Sequence, residues 1–109
     1  MLDENQIRSY HGDGYLHIPG MFTEEETDLL EGELDRLVSD WAITDQGWSG
    51  PWRKKYMDGA TEKVSKLTAM HDLYFYSDAW SKAVTNPRLT SAMSQLIGPD
   101  VELHHSTMH

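Results

Sequence analysis

The run TEEETDLLEGELDRLVSDW, residues 23 to 41, constrains this chain more than any other stretch. Thr23 with Glu26 three positions on is the pairing in which each side chain satisfies the other's backbone N–H at a helix start. Glu24, Glu25 and Glu26 crowd the first turn, where the helix dipole favours negative charge. Leu30, Leu34, Leu37, Val38 and Trp41 then recur at helical spacing. Gly32 costs roughly 1 kcal/mol relative to alanine, which the cap and the stripe outweigh. The spacing predicts a helix over residues 24 to 40, with one apolar face that other elements must cover.

Elements on either side are predicted from shorter signals. Residues 2 to 10 read as an opening helix with Ile7 and Tyr10 on one face, and His11-Gly12-Asp13-Gly14 reads as a turn. Residues 15 to 18 read as a strand, Leu16 and Ile18 to one side and Tyr15 and His17 to the other, ended by Pro19-Gly20. VSKLTAMHDLYFY, residues 64 to 76, is apolar and aromatic enough to contain a strand. Ser77-Asp78 starts a short helix through Trp80 and Val84 that stops before Asn86-Pro87. Pro87 then opens another helix, with Leu89, Met93, Leu96 and Ile97 as its apolar face and Gly98-Pro99 as its end. VELHHSTMH, residues 101 to 109, closes the chain as a strand.

Residues 44 to 63 break this order. TDQGWSGPWRKKYMDGAT has three glycines, a proline, two tryptophans and a tyrosine, with no period. A loop of that length inside a small domain usually serves a function. Trp48 and Trp52 either cover the core as a flap or line the mouth of a ligand pocket.

Composition narrows the partners. At 109 residues the chain makes one modest domain. Eighteen acids against nine bases leave a formal charge of -9, which disfavours a nucleic-acid or anionic-membrane surface. Arg53-Lys54-Lys55 is the one dense basic run, short enough to be solvated surface. The absence of cysteine excludes disulfides, thiolate metal sites and cysteine nucleophiles. The first fifteen residues carry Asp3 and Glu4 and no apolar run, unlike a signal peptide. No stretch is long and apolar enough to cross a bilayer. A cytoplasmic protein with no nucleic-acid or membrane partner is the expectation, and nothing bears on oligomeric state.

Histidines supply the candidate metal chemistry. On a strand His105 and His109 share a side with Val101, Leu103 and Thr107, while His104 faces the other way. Two strand steps separate His105 from His109, a wide span for chelating one ion. His11-Gly12-Asp13, with His105 as a distant third ligand, has the order of a two-histidine, one-carboxylate iron site. Asp13-Gly14 has an equally good conformational reason to occur at a turn. No G-x-S-x-G, phosphate-binding loop or dinucleotide fingerprint is present.

Taken in order, DGYLHIPGMFTEEETDLLEGELDRL and KLTAMHDLYFYSDAWSKAVTNPRLTSAMSQLIGPDVELHHSTMH resemble the phytanoyl-CoA dioxygenase-like family of iron(II)/2-oxoglutarate-dependent oxygenases. The resemblance spans most of the chain outside the loop. It implies an α+β fold, the N-terminal helices and first strands of a double-stranded β-helix, or jelly roll, cut before the metal site. Residues 1 to 109 would then be the opening part of a single oxygenase domain. In that family iron(II), 2-oxoglutarate and oxygen together hydroxylate a C–H bond of a small organic or acyl substrate. The iron-binding H-x-D, the second histidine and the 2-oxoglutarate arginine lie further on, so no catalytic or metal residue transfers to this chain. Lys66 and Thr107 fall where the family contacts 2-oxoglutarate. His105 and His109 share the Thr107 face and would line the same pocket, with Trp48, Trp52 and Tyr56 as a specificity element. Fe(II) and 2-oxoglutarate are expected in the longer parent, and neither is expected to bind tightly to these residues alone. Two other readings stand beside this one: a complete small acidic binding domain, and a histidine-based metal-binding domain.

Overall fold

The computed structural model of the chain describes residues 1–41, 60 and 70–108. The predicted loop at 44 to 63 lies outside them, apart from residue 60.

Helix α1 (Glu4–Asp13) starts at a reciprocal cap. The Gln6 N–H donates to Asp3 Oδ1 at 2.8 Å, and the Asp3 N–H donates to Gln6 Oε1 at 2.9 Å. The helix outruns the predicted residues 2 to 10 and takes in His11, Gly12 and Asp13. The turn signal there marks the helix's end instead: Gly14, at φ +83°, donates its N–H to Tyr10 O at 2.9 Å. No residue of α1 is buried. Its approach to the rest of the chain runs through Leu2, whose N–H donates to Gln95 Oε1 at 3.1 Å.

The strand predicted at 15 to 18 carries no regular element. A strand needs a ladder partner, and among the described residues it has none. The alternation persists in burial, with Leu16 and Ile18 half-buried and Tyr15 and His17 exposed.

Helix α2 (Glu24–Trp41) begins at the predicted capping box. The Glu26 N–H donates to Thr23 Oγ1 at 3.2 Å, and the Thr23 N–H donates to Glu26 Oε2 at 2.8 Å. Its apolar stripe faces inward, with Leu37 1% exposed and Leu30, Leu34 and Val38 half-buried. Leu37, Met70 and Leu73 form the core, against which Leu34, Trp80 and Met108 pack. Full burial of one such side chain contributes about 1.5–3 kcal/mol.

Strand β1 (Met70–His71) leads into a single 3-10 turn at Leu73–Phe75. Helix α3 (Asp78–Val84) is capped by Ser77, whose Oγ accepts from the Trp80 N–H at 3.4 Å. Helix α4 (Pro87–Ile97) follows, where Asn86 Oδ1 accepts from the Arg88 N–H at 2.9 Å and Pro87 fills a first-turn position. Its inward face is Ala92 and Leu96, flanked by half-buried Leu89 and Met93. Ile97, predicted on that face, is 54% exposed, because one step along a helix turns it about 100° from Leu96. Arg88 ties α4 to the start of α2, donating from Nε to Met21 O at 2.8 Å and ion-pairing with Glu26.

Of the strand predicted at 101 to 109, only β2 (Thr107–Met108) is paired among the described residues, antiparallel to β1. No helix among the described residues is long and apolar enough to cross a membrane.

Candidate functional site

Of the sequence-predicted site residues the structure describes two, Thr107 within the β1–β2 ladder and His105 just before it. Met70 stands opposite Met108, and His71 opposite Thr107. Directly opposed residues of an antiparallel pair share a face. One face therefore carries Met70, 2% exposed, and half-buried Met108, which packs on the Leu37 core. The other carries His71 and Thr107, both exposed. The methionine-bearing face takes the core because it is the apolar one.

Asp72 fixes the end of the ladder. Its backbone is left-handed, at φ 56° and ψ 55°, a conformation aspartate visits more readily than most residues. Its N–H donates to Ser106 O at 2.7 Å, and its Oδ1 accepts from the Ser106 N–H at 3.0 Å. The Tyr74 hydroxyl is pushed above the usual phenol range, first by burial and then by the charge of Asp72 and a hydrogen bond to it.

His105 lies exposed just before the ladder, its ring edge-on to that of His104 with centroids 4.8 Å apart. Lys66, Trp48, Trp52, Tyr56 and His109 lie outside the described residues. His71 was not singled out from sequence. A signal for it exists: Met70-His71 and Thr107-Met108 repeat methionine beside a polar residue in reversed order, as antiparallel partners would.

Among the described residues, no three histidine, aspartate or glutamate side chains converge as a metal ion requires. His11 and Asp13 complete the last turn of α1, where the His11 ring meets Tyr10 edge-on at 5.3 Å. They are not brought into a ligand set with His105. The described residues therefore do not fit an iron centre. What the ladder's outer face offers is a hydroxyl and an imidazole, groups able to donate hydrogen bonds to carboxylate oxygens.

A second polar cluster joins α2 to α3. Arg36 donates to both Glu33 oxygens at 3.0 Å and to Asp40 Oδ2 at 3.3 Å, and the Ser77 hydroxyl donates to Glu33 Oε2 at 2.6 Å. These bonds, Arg36's foremost and Ser77's next, hold the Glu33 carboxyl down at about 2. The arginine is raised in turn. A cleft of about 550 Å³ opens beside this cluster, lined by Arg36, Tyr74, Phe75 and Lys82 among others. An apolar groove of similar size runs past Phe22, Leu30, Leu34, Trp80, Val84 and Leu89. The buried Trp80 Nε1–H has no acceptor among the described residues.

Comparison with known proteins finds similarity to ectoine dioxygenases. Over 105 residues the chain is 29% identical to the ectoine dioxygenase of Bordetella parapertussis, covering 96% of this chain and 31% of the relative. The ectoine dioxygenase of Stutzerimonas stutzeri is 26% identical over 103 residues, covering 94% of this chain and 31% of the relative. That of Streptomyces avermitilis is 23% identical over 103 residues, covering 94% and 32%. The chain thus spans about a third of the length of the curated relatives it matches. No protein-family model matches it, and no solved structure matches it significantly.

Proposed function

We propose that residues 1 to 109 are the amino-terminal portion of a cytoplasmic iron(II)/2-oxoglutarate-dependent dioxygenase of the phytanoyl-CoA dioxygenase-like family, hydroxylating a small organic substrate. One observation carries the reading: relatives bearing a single activity in their names match 94–99% of this chain. The substrate named by those relatives is ectoine, so a compact cyclic amino acid of that kind is the substrate class proposed here.

The chain's own residues would act as one wall of the site. Ser77 and Glu33 hold α3 on α2, and the core of Leu37, Met70 and Leu73 seats the ladder against both. His71 and Thr107 then face outward, where Thr107 would donate its hydroxyl to a 2-oxoglutarate carboxylate. On the family resemblance, the iron ligands fall in the part of such an enzyme that this chain, about a third of its relatives' length, does not span. The jelly roll is likewise proposed. Its support is the exposure of two apolar side chains, Val101 (41%) and Leu103 (49%), in the segment that leads into β2. Apolar side chains so placed normally lie under a second layer of sheet.

The test is to express the whole open reading frame that encodes these residues and to incubate it with Fe(II), 2-oxoglutarate and ectoine. Iron-dependent succinate, with a product one oxygen heavier than ectoine, is expected. Succinate formed without any change in ectoine would move the substrate elsewhere and keep the reaction class. No iron-dependent succinate with any substrate offered would remove the reading.

A further inference from the structure

Asp72 stands at the start of the Leu73–Phe75 turn, the position from which an aspartate side chain ordinarily caps the N–H groups that follow. It makes no such cap. Its carboxylate instead reaches across to the far strand and accepts from the Ser106 N–H, while its own N–H donates to Ser106 O. Both backbone groups of Ser106 are thus held by one residue. The left-handed backbone of Asp72 permits this, since it turns the chain out of β1 directly after His71. Thr107 follows Ser106, so the clamp fixes which residue of β2 stands opposite His71. A slip of one residue would exchange the ladder's faces, sending Thr107 toward the core and Met108 outward. The paired strands are only two residues long, so few ladder bonds are available to resist that slip.

We propose that Asp72 is a positioning residue: its two-point clamp on Ser106 sets the register that presents His71 and Thr107 on the outer face of the ladder. The role in turnover rests on the dioxygenase reading of that face, whereas the register role does not.

The experiment uses the full-length protein with two variants. Asp72→Gly keeps a backbone suited to positive φ and removes the carboxylate. Asp72→Asn keeps an acceptor oxygen in place and is the rescue. In Asp72→Gly, amide hydrogen exchange at Ser106 is expected to speed up about tenfold relative to amides inside α4, the size of one lost hydrogen bond to a charged group. The KM for 2-oxoglutarate should rise about tenfold, with kcat changed by less than about twofold. Asp72→Asn should restore both. Unchanged Ser106 exchange, or an equal acceleration throughout α4, would overturn the clamp. Faster Ser106 exchange with an unaltered KM would overturn the positioning role. Failure of the dioxygenase reading shows separately, as absent turnover in the unmodified protein, and the exchange measurement then decides the register role alone.

Discussion

The hydroxyl of Ser77 donates to Glu33 Oε2 at 2.6 Å, across 44 positions of chain. Ser77 Oγ also accepts from the Trp80 N–H, so one serine, 6% exposed, both starts α3 and fastens it to α2. Ser77→Ala would remove donor and acceptor together, loosening the joint and the cap of α3 in one step.

Acid should loosen this joint. The Glu33 carboxyl sits at about 2 in the folded chain, below its ordinary 4.5. A group lowered on folding contributes stability above its unfolded value and loses it as the pH falls toward the folded one. Glu26, lowered by Arg88 first and by the Thr23 N–H next, shifts in the same direction. Urea midpoints of the unmodified chain and of Glu33→Gln should therefore differ most above pH 4.5 and converge as the pH approaches 2. Parallel curves across that range would show that the charge of Glu33 does not matter to the fold.

Leu37→Ala should cost about 2–5 kcal/mol, the range for emptying a buried leucine site. Leu37 is 1% exposed at the centre of the core, whereas Leu29, on the same helix, is 58% exposed. Leu29→Ala is the control, expected to stay within about 0.5 kcal/mol. Chemical denaturation of the two variants side by side makes the comparison. Similar losses would mean that the stripe of α2 faces another way.

Gly14→Ala tests the end of α1. An alanine Cβ would meet nothing within 4 Å there, so the cost is that of placing a side chain at φ +83°. That is about 1–2 kcal/mol. No residue of α1 is buried, so the loss should appear locally, as faster amide exchange along α1, with little change in the global midpoint. A drop in the midpoint equal to the local loss would show α1 to be part of the cooperative core.

On the proposed dioxygenase reading, Thr107→Val in the full-length protein removes a hydroxyl and keeps the shape. A raised KM for 2-oxoglutarate, about tenfold for one lost bond to a charged carboxylate, is expected. On the proposed reading residues 1 to 109 alone should form no succinate, because they span only about a third of the length of the relatives they match. Turnover by that piece would relocate the metal site into it.

The helices were legible because their signals are local. Thr23 with Glu26, Ser77 with Asp78, and Asn86 with Pro87 each sit within a few residues of the backbone groups they satisfy, and each cap is present. Asp3 with Gln6 is an equally local signal, and it starts the helix at Glu4 rather than at the predicted residue 2. The ladder was legible only in part. That Met70 meets Met108, and so that His71 shares a face with Thr107, depends on a pairing between distant segments. Hydrophobic alternation fixes which residues share a side of one strand and says nothing about the partner. At 15 to 18 the alternation was correct and the strand was absent, since alternation in burial needs only a surface to lie on.

The pairing of Met70 with Met108 makes residues 72–106 a closed excursion that leaves the ladder and returns to it. Joining the ends of such an excursion costs chain entropy, which is repaid only after α3 and α4 have formed and brought the ends near. The helices should thus assemble first and the ladder last. In the folded chain the ordering reverses within this excursion, and the two-residue ladder opens before the helices it encloses. A ligand held across His71 and Thr107 would therefore act as a latch. It would slow the opening of the excursion's neck while leaving the packing around Leu37 unchanged.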